Sequence, residues 1–220
     1  METQGLGILM VIASLALAFG LAVTIIGRLL RGGPPRLGRL ALVGAGWAVL
    51  YGAILLTTSL TSRERVLGWG ADKKFCGFYL DCHTQIAVTG VEVVDSLDGA
   101  RAAGRFHVVA LRIGSDARVA RLRLHDPRLV VVDDQGRHFS RSAGGEAALA
   151  RQRGAPPALT DEVAPGGAYE TAVVFDLPRD ASDPRLAVTE GWWADRLIEF
   201  LLIGDEDSFL HARTRIRLTT

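Results

Sequence analysis

The sequence predicts two transmembrane α-helices followed by an all-β antiparallel sandwich, and three observations predict it. Two apolar stretches, residues 6–27 and 40–60, contain no Asp, Glu, Lys or Arg. The linker joining them holds Arg28, Arg31, Arg36 and Arg39 and no acid. From Gln85 onward, apolar and polar residues alternate with period two between Asp-Gly and Pro-Gly turns.

A helix rises about 1.5 Å per residue, so roughly 20 apolar residues cross a hydrocarbon core of about 30 Å. Both stretches reach that length, and the only polar side chains within them are Ser14, Thr24, Thr57, Thr58 and Ser59. A cleaved signal peptide fits the first stretch poorly. The only charge before Leu6 is Glu2, and the apolar run exceeds the usual core of about 7–15 residues. The arginine linker is short, the regime in which positive charge stays cytoplasmic. Both termini and everything after residue 60 are therefore expected outside the cytoplasmic membrane. Arg63, Arg65, Lys73 and Lys74 argue weakly the other way, because they are interspersed with acids. Small residues recur at helical spacing, Ala16 and Gly20 in the first span and Gly44, Ala48 and Gly52 in the second. Such residues let backbones approach closely in lipid, either between the two helices or against another chain.

Three segments follow: a helical hairpin over 1–60, a juxtamembrane segment over 61–84 with both cysteines, and a sandwich over 85–220. Setting aside residues 1–60 leaves 21 Lys+Arg against 23 Asp+Glu, a balance with no electrostatic footprint for nucleic acid.

Within the β-rich part, Ile86, Val88, Val91 and Val93 form the first expected strand, bent at Gly90, with a turn at Asp98-Gly99. Residues 106–113 make the second, with short strands over 120–124 and 129–132. Gly136 closes a hairpin into 137–140. Residues 145–153 have helical propensity, enough for one turn within a long connection. Strands are expected over 169–177, 185–188, 197–203 and 214–218, a series that suits a sandwich or barrel. Trp192 and Trp193 suit a core plug, an exposed recognition patch or a contact with lipid headgroups, and core packing is the expectation because apolar strand residues follow. Asp205, Glu206 and Asp207 are expected at a hairpin tip rather than around calcium, because EF-hand spacing is missing.

Leu129-Val-Val-Val-Asp-Asp-Gln-Gly-Arg-His-Phe139, then Pro165-Gly166-Gly167 and Val173-Val-Phe-Asp-Leu-Pro178, carry a resemblance. Over roughly residues 85–190 the chain resembles a large bacterial family of immunoglobulin-like domains, marked by an Asp-x-x-Gly hairpin and a Phe-x-x-Pro strand end. Those domains are displayed outside the cell on lipoproteins or short membrane anchors, and most have no assigned activity. The resemblance implies an immunoglobulin-like sandwich; the family's lipobox is absent and the helical hairpin stands in its place.

Cys76 and Cys82 are the only cysteines, and His83 follows the second. Outside the cytoplasm such a pair is normally a disulfide, contributing ~2 kcal/mol for so small a loop. The alternative makes Cys76, Cys82 and His83 soft ligands for copper, or a redox pair. An amino-terminal two-helix hairpin with an exported sandwich is similar to the copper subunit of haem-copper oxidases. There, however, the cysteines lie three residues apart in a late loop, whereas here they precede the first strand. His107, His125, His138 and His211 are expected in packed or solvated positions. No G-x-S-x-G, H-E-x-x-H or phosphate-loop motif occurs. The expectation is a non-enzymatic binding or assembly module without cofactor, held to the lipid bilayer and meeting a protein partner there.

Overall fold

In the computed structural model, which describes residues 2–31, 37–75 and 82–219, the two apolar stretches form α1 (Glu2–Leu30) and α2 (Leu37–Thr61). Each contains an apolar stretch of 24 residues, Gly7–Leu30 and Gly38–Thr61, long and apolar enough to cross a membrane, and only 6% of an 18-residue apolar window in each is buried. The two helices meet where the Trp47 indole N–H donates to Ser14 Oγ at 2.9 Å. Ser14 and Trp47 lie on the shielded sides, while Ala16, Gly20 and Ala48 are exposed. A Cβ built on Gly20, Gly44 or Gly52 meets no atom within 4 Å. The small-residue spacing therefore does not mark a close helix contact within the chain.

The chain divides into two compact units, Met1–Arg63 with Leu197–Ala212, and Glu64–Arg196 with Arg213–Thr220. The second unit is two sheets packed face to face. One holds β1 (Arg65–Leu67), β5 (Arg128–Val132), β6 (His138–Ser140), β8 (Arg185–Thr189) and β9 (Thr214–Arg217) in the order β1-β9-β8-β5-β6. The other holds β2 (Lys73–Phe75), β3 (Thr84–Leu97), β4 (Ala100–Ser115) and β7 (Ala168–Leu177) in the order β2-β3-β4-β7. All pairings are antiparallel except β1 with β9. Residues 61–84 thus contribute a strand to each sheet rather than serving only as a polar connection.

Alternation builds the shared core. Ile86 and Val88 of β3, Val109, Leu111 and Ile113 of β4, and Val173, Phe175 and Leu177 of β7 face Leu129, Val131, Leu186, Val188 and Ile216 of the other sheet. Period-two side chains from two sheets fill one interior in this way. The bend expected at Gly90 is a register shift between Val88 and Gly90 in the β3–β4 ladder. Leu97 pairs with Ala100 across Asp98 (φ 42°) and Gly99 (φ 78°). Two positive φ values in a two-residue loop match the right-handed twist of the flanking strands.

The all-β expectation needs correction in two places. Residues 143–153 form a full helix, α3 (Ala143–Arg153), capped where Ser142 Oγ accepts the Gly145 N–H. It lays Ala148 and Leu149 on the outer face of β4 and β7, against Phe106, Val108 and Val174. Residues 197–203 are not a strand: α4 (Trp193–Leu201) occupies most of them. Trp192 and Trp193 are 62% and 79% exposed, so neither fills the core. Asp205–Asp207 lie in turns between α4 and β9 rather than at a hairpin tip. Of residues 120–124 only a bridge between Leu122 and Val163 forms.

Gly104 sits where β4 passes the end of β7, and a Cβ there collides with the Leu177 carbonyl. Gly90 has only an ordinary contact with Ala110 Cβ, at 4.0 Å. Gly104→Ala is expected to cost roughly 2 kcal/mol or more by forcing the strands apart, with Gly90→Ala within about 1 kcal/mol of wild type. Hydrogen exchange of the β4–β7 amides in the full chain checks both.

Candidate functional site

Two regions of the sandwich hold arranged polar groups. The first lies where β3 begins. Cys82 and His83 precede that strand, Cys82 half-buried and His83 exposed. Backbone pairing brings Asp116 alongside, its N–H donating to the His83 carbonyl at 3.1 Å. His83 Nδ1 lies 2.6 Å from Asp116 Oδ1, and Lys74 Nζ donates to Asp116 Oδ2 at 2.5 Å. These hydrogen bonds, Lys74 first and His83 second, hold the Asp116 carboxyl below its ordinary range. His83 thus has a carboxylate to orient its ring. Cys76 lies outside the described residues, so its pairing with Cys82 and its part in a copper site both fall on a residue without a described position. Among the described residues, no group of three or more His, Cys, Asp or Glu is placed to hold a metal ion.

His107 is half-buried in β4, and burial lowers its pKa. His211 Nδ1 lies 2.9 Å from the Ala212 carbonyl. Of the linker arginines, Arg28 and Arg39 belong to α1 and α2, the Arg31 N–H donates to the Arg28 carbonyl at 3.2 Å, and Arg36 lies outside the described residues.

The second region is the outer edge of β7, a ten-residue strand at the end of its sheet. Long edge strands invite foreign pairing unless something covers them. Here one part is covered by α3. The Ser142 N–H donates to the Val174 carbonyl at 2.7 Å, and the Val174 N–H donates to Glu146 Oε1 at 3.4 Å. Glu146 also takes a bidentate grip from Arg141, at 2.7 and 2.9 Å. A second staple comes from the connection after α3. Thr171 donates its hydroxyl to the Pro157 carbonyl at 2.6 Å, and Tyr169 donates to the Ala158 carbonyl at 2.9 Å.

Between the two staples runs a groove of about 470 Å³, walled by Arg141, Glu146, Leu149 and Pro157 and floored by Thr171, Ala172 and Val173. Backbone direction alternates along a strand. Since Val174 bonds outward, away from β4, the next outward-facing amide and carbonyl belong to Ala172, on the groove floor. Strand β7 is legible in the sequence, whereas the groove, lined by residues from distant parts of the chain, is not. Ser142, an N-cap residue that accepts the Gly145 N–H, with Glu146 in the first turn before an alanine run, is the signal that marks the covering helix.

Glu190 was also not singled out by the sequence. Its carboxylate accepts the His125 N–H at 3.3 Å and the Thr84 hydroxyl at 3.4 Å. Burial pushes its pKa from 4.5 up to about 7, although His125, Thr84 and Lys73 all oppose the rise. The folded state therefore keeps a proton that the unfolded chain releases near 4.5. Stabilisation from this group is complete below pH 4.5 and is lost as pH rises through about 7. Relative to Glu190→Gln, the wild-type domain is expected to lose about 3 kcal/mol between pH 4.5 and 8. Denaturant unfolding of both proteins across that range checks it; parallel curves would contradict the burial argument.

No protein-family model matches the chain, and no curated protein matches it. Among solved structures, it is similar to the yjhA protein from Bacillus subtilis, at 11% identity and a TM-score of 0.43, over 70% of this chain and 99% of that one. It is similar to MPT63, a secreted protein from Mycobacterium tuberculosis, at 10% identity and a TM-score of 0.43, over 60% of this chain and 93% of that one. It is also similar to an uncharacterised β-sandwich protein from Clostridium difficile 630, at 8% identity and a TM-score of 0.39, over 72% of this chain and 96% of that one.

Proposed function

We propose that the chain is a non-enzymatic binding module, tethered by α1 and α2 in the cytoplasmic membrane, with an immunoglobulin-like sandwich outside it. The ligand is an extended segment of a protein partner that adds to the β7 edge at Ala172. The observation that carries this reading is the groove, which leaves one stretch of a ten-residue edge strand accessible between two staples. Strand addition draws its affinity from main-chain hydrogen bonds and its specificity from pockets for alternate side chains. Arg141, Glu146 and the Pro157 wall supply such contacts.

The tether is supported by the spans themselves. Leu9, Ile12, Leu15, Phe19, Leu42 and Val49 are each at least half exposed along α1 and α2. Water is a poor solvent for that surface, and lipid a good one. The arginine linker supports the orientation. Confinement to a membrane raises the effective concentration of a neighbouring partner, so a weak edge contact suffices. The exported compartment favours a Cys76–Cys82 disulfide close to the start of β3.

A photoreactive residue at exposed Thr160, on the groove wall, is expected to capture a protein in intact membranes. The same residue at Val119, 89% exposed elsewhere on the sandwich, is expected to capture none. Ala172→Pro removes the outward N–H and should abolish the Thr160 adduct while leaving the fold intact at a strand edge. Equal capture at both positions, or capture that survives Ala172→Pro, would contradict the edge reading.

For the cysteines, a thiol reagent applied to unreduced exported protein is expected to label neither Cys76 nor Cys82. Labelling of both would contradict the disulfide. One equivalent of copper, lost in Cys82→Ser, would establish the copper alternative instead.

A further inference from the structure

α4 is built inside out for a helix in water. Trp193, Leu197, Phe200 and Leu201 recur at helical spacing and are 79%, 57%, 43% and 49% exposed. The polar residues turn the other way. Glu199 is 7% exposed, and the Arg196 guanidinium donates to the Asp126 carbonyl at 2.8 Å and pairs with its carboxylate at 3.0 Å. The following turns continue the apolar face. The Phe209 ring lies tilted against Phe200 with centroids 5.3 Å apart, and Leu210 is 58% exposed.

The segment Leu197–Ala212 belongs to the same compact unit as α1 and α2. The Tyr51 hydroxyl donates to the Leu201 carbonyl at 2.6 Å, Ser59 Oγ lies 3.4 Å from Ser208 Oγ, and the Ala212 N–H donates to Ser62 Oγ at 2.7 Å. Gly7 lies so close to the Ile203 carbonyl that a Cβ would collide with it. These contacts set a level. The Ser14–Trp47 bond aligns the two helices, and seven residues, or about 10 Å, separate Ser14 from Gly7 along the α1 axis. Counting the same distance along α2 from Trp47 reaches Ile54, three residues past Tyr51. Leu201 to Ile203 therefore meet the hairpin where the apolar run of α1 begins, and residues 201–212 then follow the last turns of the α2 apolar stretch from Tyr51 to Ser62.

We infer that α4 and the turns through Leu210 form an interfacial lipid-binding element. Its Trp193, Leu197, Phe200, Leu201 and Leu210 side chains enter the acyl-chain boundary of the leaflet on the sandwich side. An amphipathic helix with Trp, Phe and Leu on one face suits that zone, the indole ring sitting at headgroup level. Its position beside the spans, with the charged residues turned inward, favours lipid over a protein occupant.

This inference rests on the membrane reading proposed above, and its test separates the two. A photoreactive residue is placed singly at Leu197, Leu210, Leu15 and Val119 in the full chain. Each protein is reconstituted in nanodiscs of phosphatidylethanolamine and phosphatidylglycerol, irradiated, and read by mass spectrometry for lipid adducts. The expected result is lipid adduct at Leu15, Leu197 and Leu210, each about tenfold above Val119. Lipid adduct at Leu15 with none at Leu197 or Leu210, or adducts there to a second copy only, would overturn the interfacial element while leaving the spans in place. No lipid adduct at Leu15 would overturn the membrane reading and this inference with it.

Discussion

Apolar surface on α1 and α2 that nothing in the chain covers is the constraint on which the rest depends. Each exposed Leu, Ile, Val or Phe side chain forgoes about 1.5–3 kcal/mol of burial in water. With so little of either span buried, the deficit exceeds the net stability of a typical domain, about 5–15 kcal/mol. Placement in lipid removes that deficit without any further protein contact. It also explains the spans' composition, since the backbone of a helix satisfies its own hydrogen bonds. Among the described residues, the polar contact between the helices is Trp47 to Ser14, which gives the indole N–H a partner that lipid would not supply.

The sandwich solves a different problem by different means. Its stability rests on two sheets sharing one interior, and its specificity on how sheet edges end. α3 covers the Val174 stretch of β7 and, with the Pro157 connection, brackets the stretch at Ala172. Glu146 links these roles. The same carboxylate grips Arg141 and receives the Val174 amide, so the covering helix and the strand edge are held by one group. An edge closed at both ends and open between them is a more selective surface than a bare strand. This is the physical basis for proposing partner contact at β7 rather than at the three-residue edges β1, β2 and β6.

The features legible in the sequence are those decided locally. The two long apolar helices follow from the absence of charge over some 20 residues. The Asp98-Gly99 hairpin follows from residues that tolerate positive φ, and the Gly136 turn likewise. Strands β3, β4, β5 and β7 follow from alternation, because each buries one face in a shared core. α4 shows where this reasoning failed. Leu197-Ile-Glu-Phe-Leu-Leu-Ile203 is an apolar run too short for its period to discriminate strand from helix. The decisive signals lay at its ends, with Asp195 accepting the Trp192 N–H at 3.1 Å and Gly204 at φ 82° after the helix. Trp192 and Trp193 were assigned to a core on the strength of that strand and came out exposed once it became a helix. Strands β1 and β2 are invisible in the sequence for a related reason: three residues hold no period. Glu190 and the β7 groove were beyond reach because both are made by residues brought together from distant parts of the chain.

The central claim is that lipid surrounds α1 and α2 while the sandwich stands outside, and the location of the sandwich tests it most directly. Two reporters are fused in turn after the carboxyl-terminal strand in a bacterial host: a phosphatase that is active only after export, and a fluorescent protein that matures only in the cytoplasm. The account requires an active phosphatase and a dark fluorescent fusion, both recovered with the membrane fraction. A bright fluorescent fusion with an inactive phosphatase would contradict it, as would recovery of either fusion in the soluble fraction.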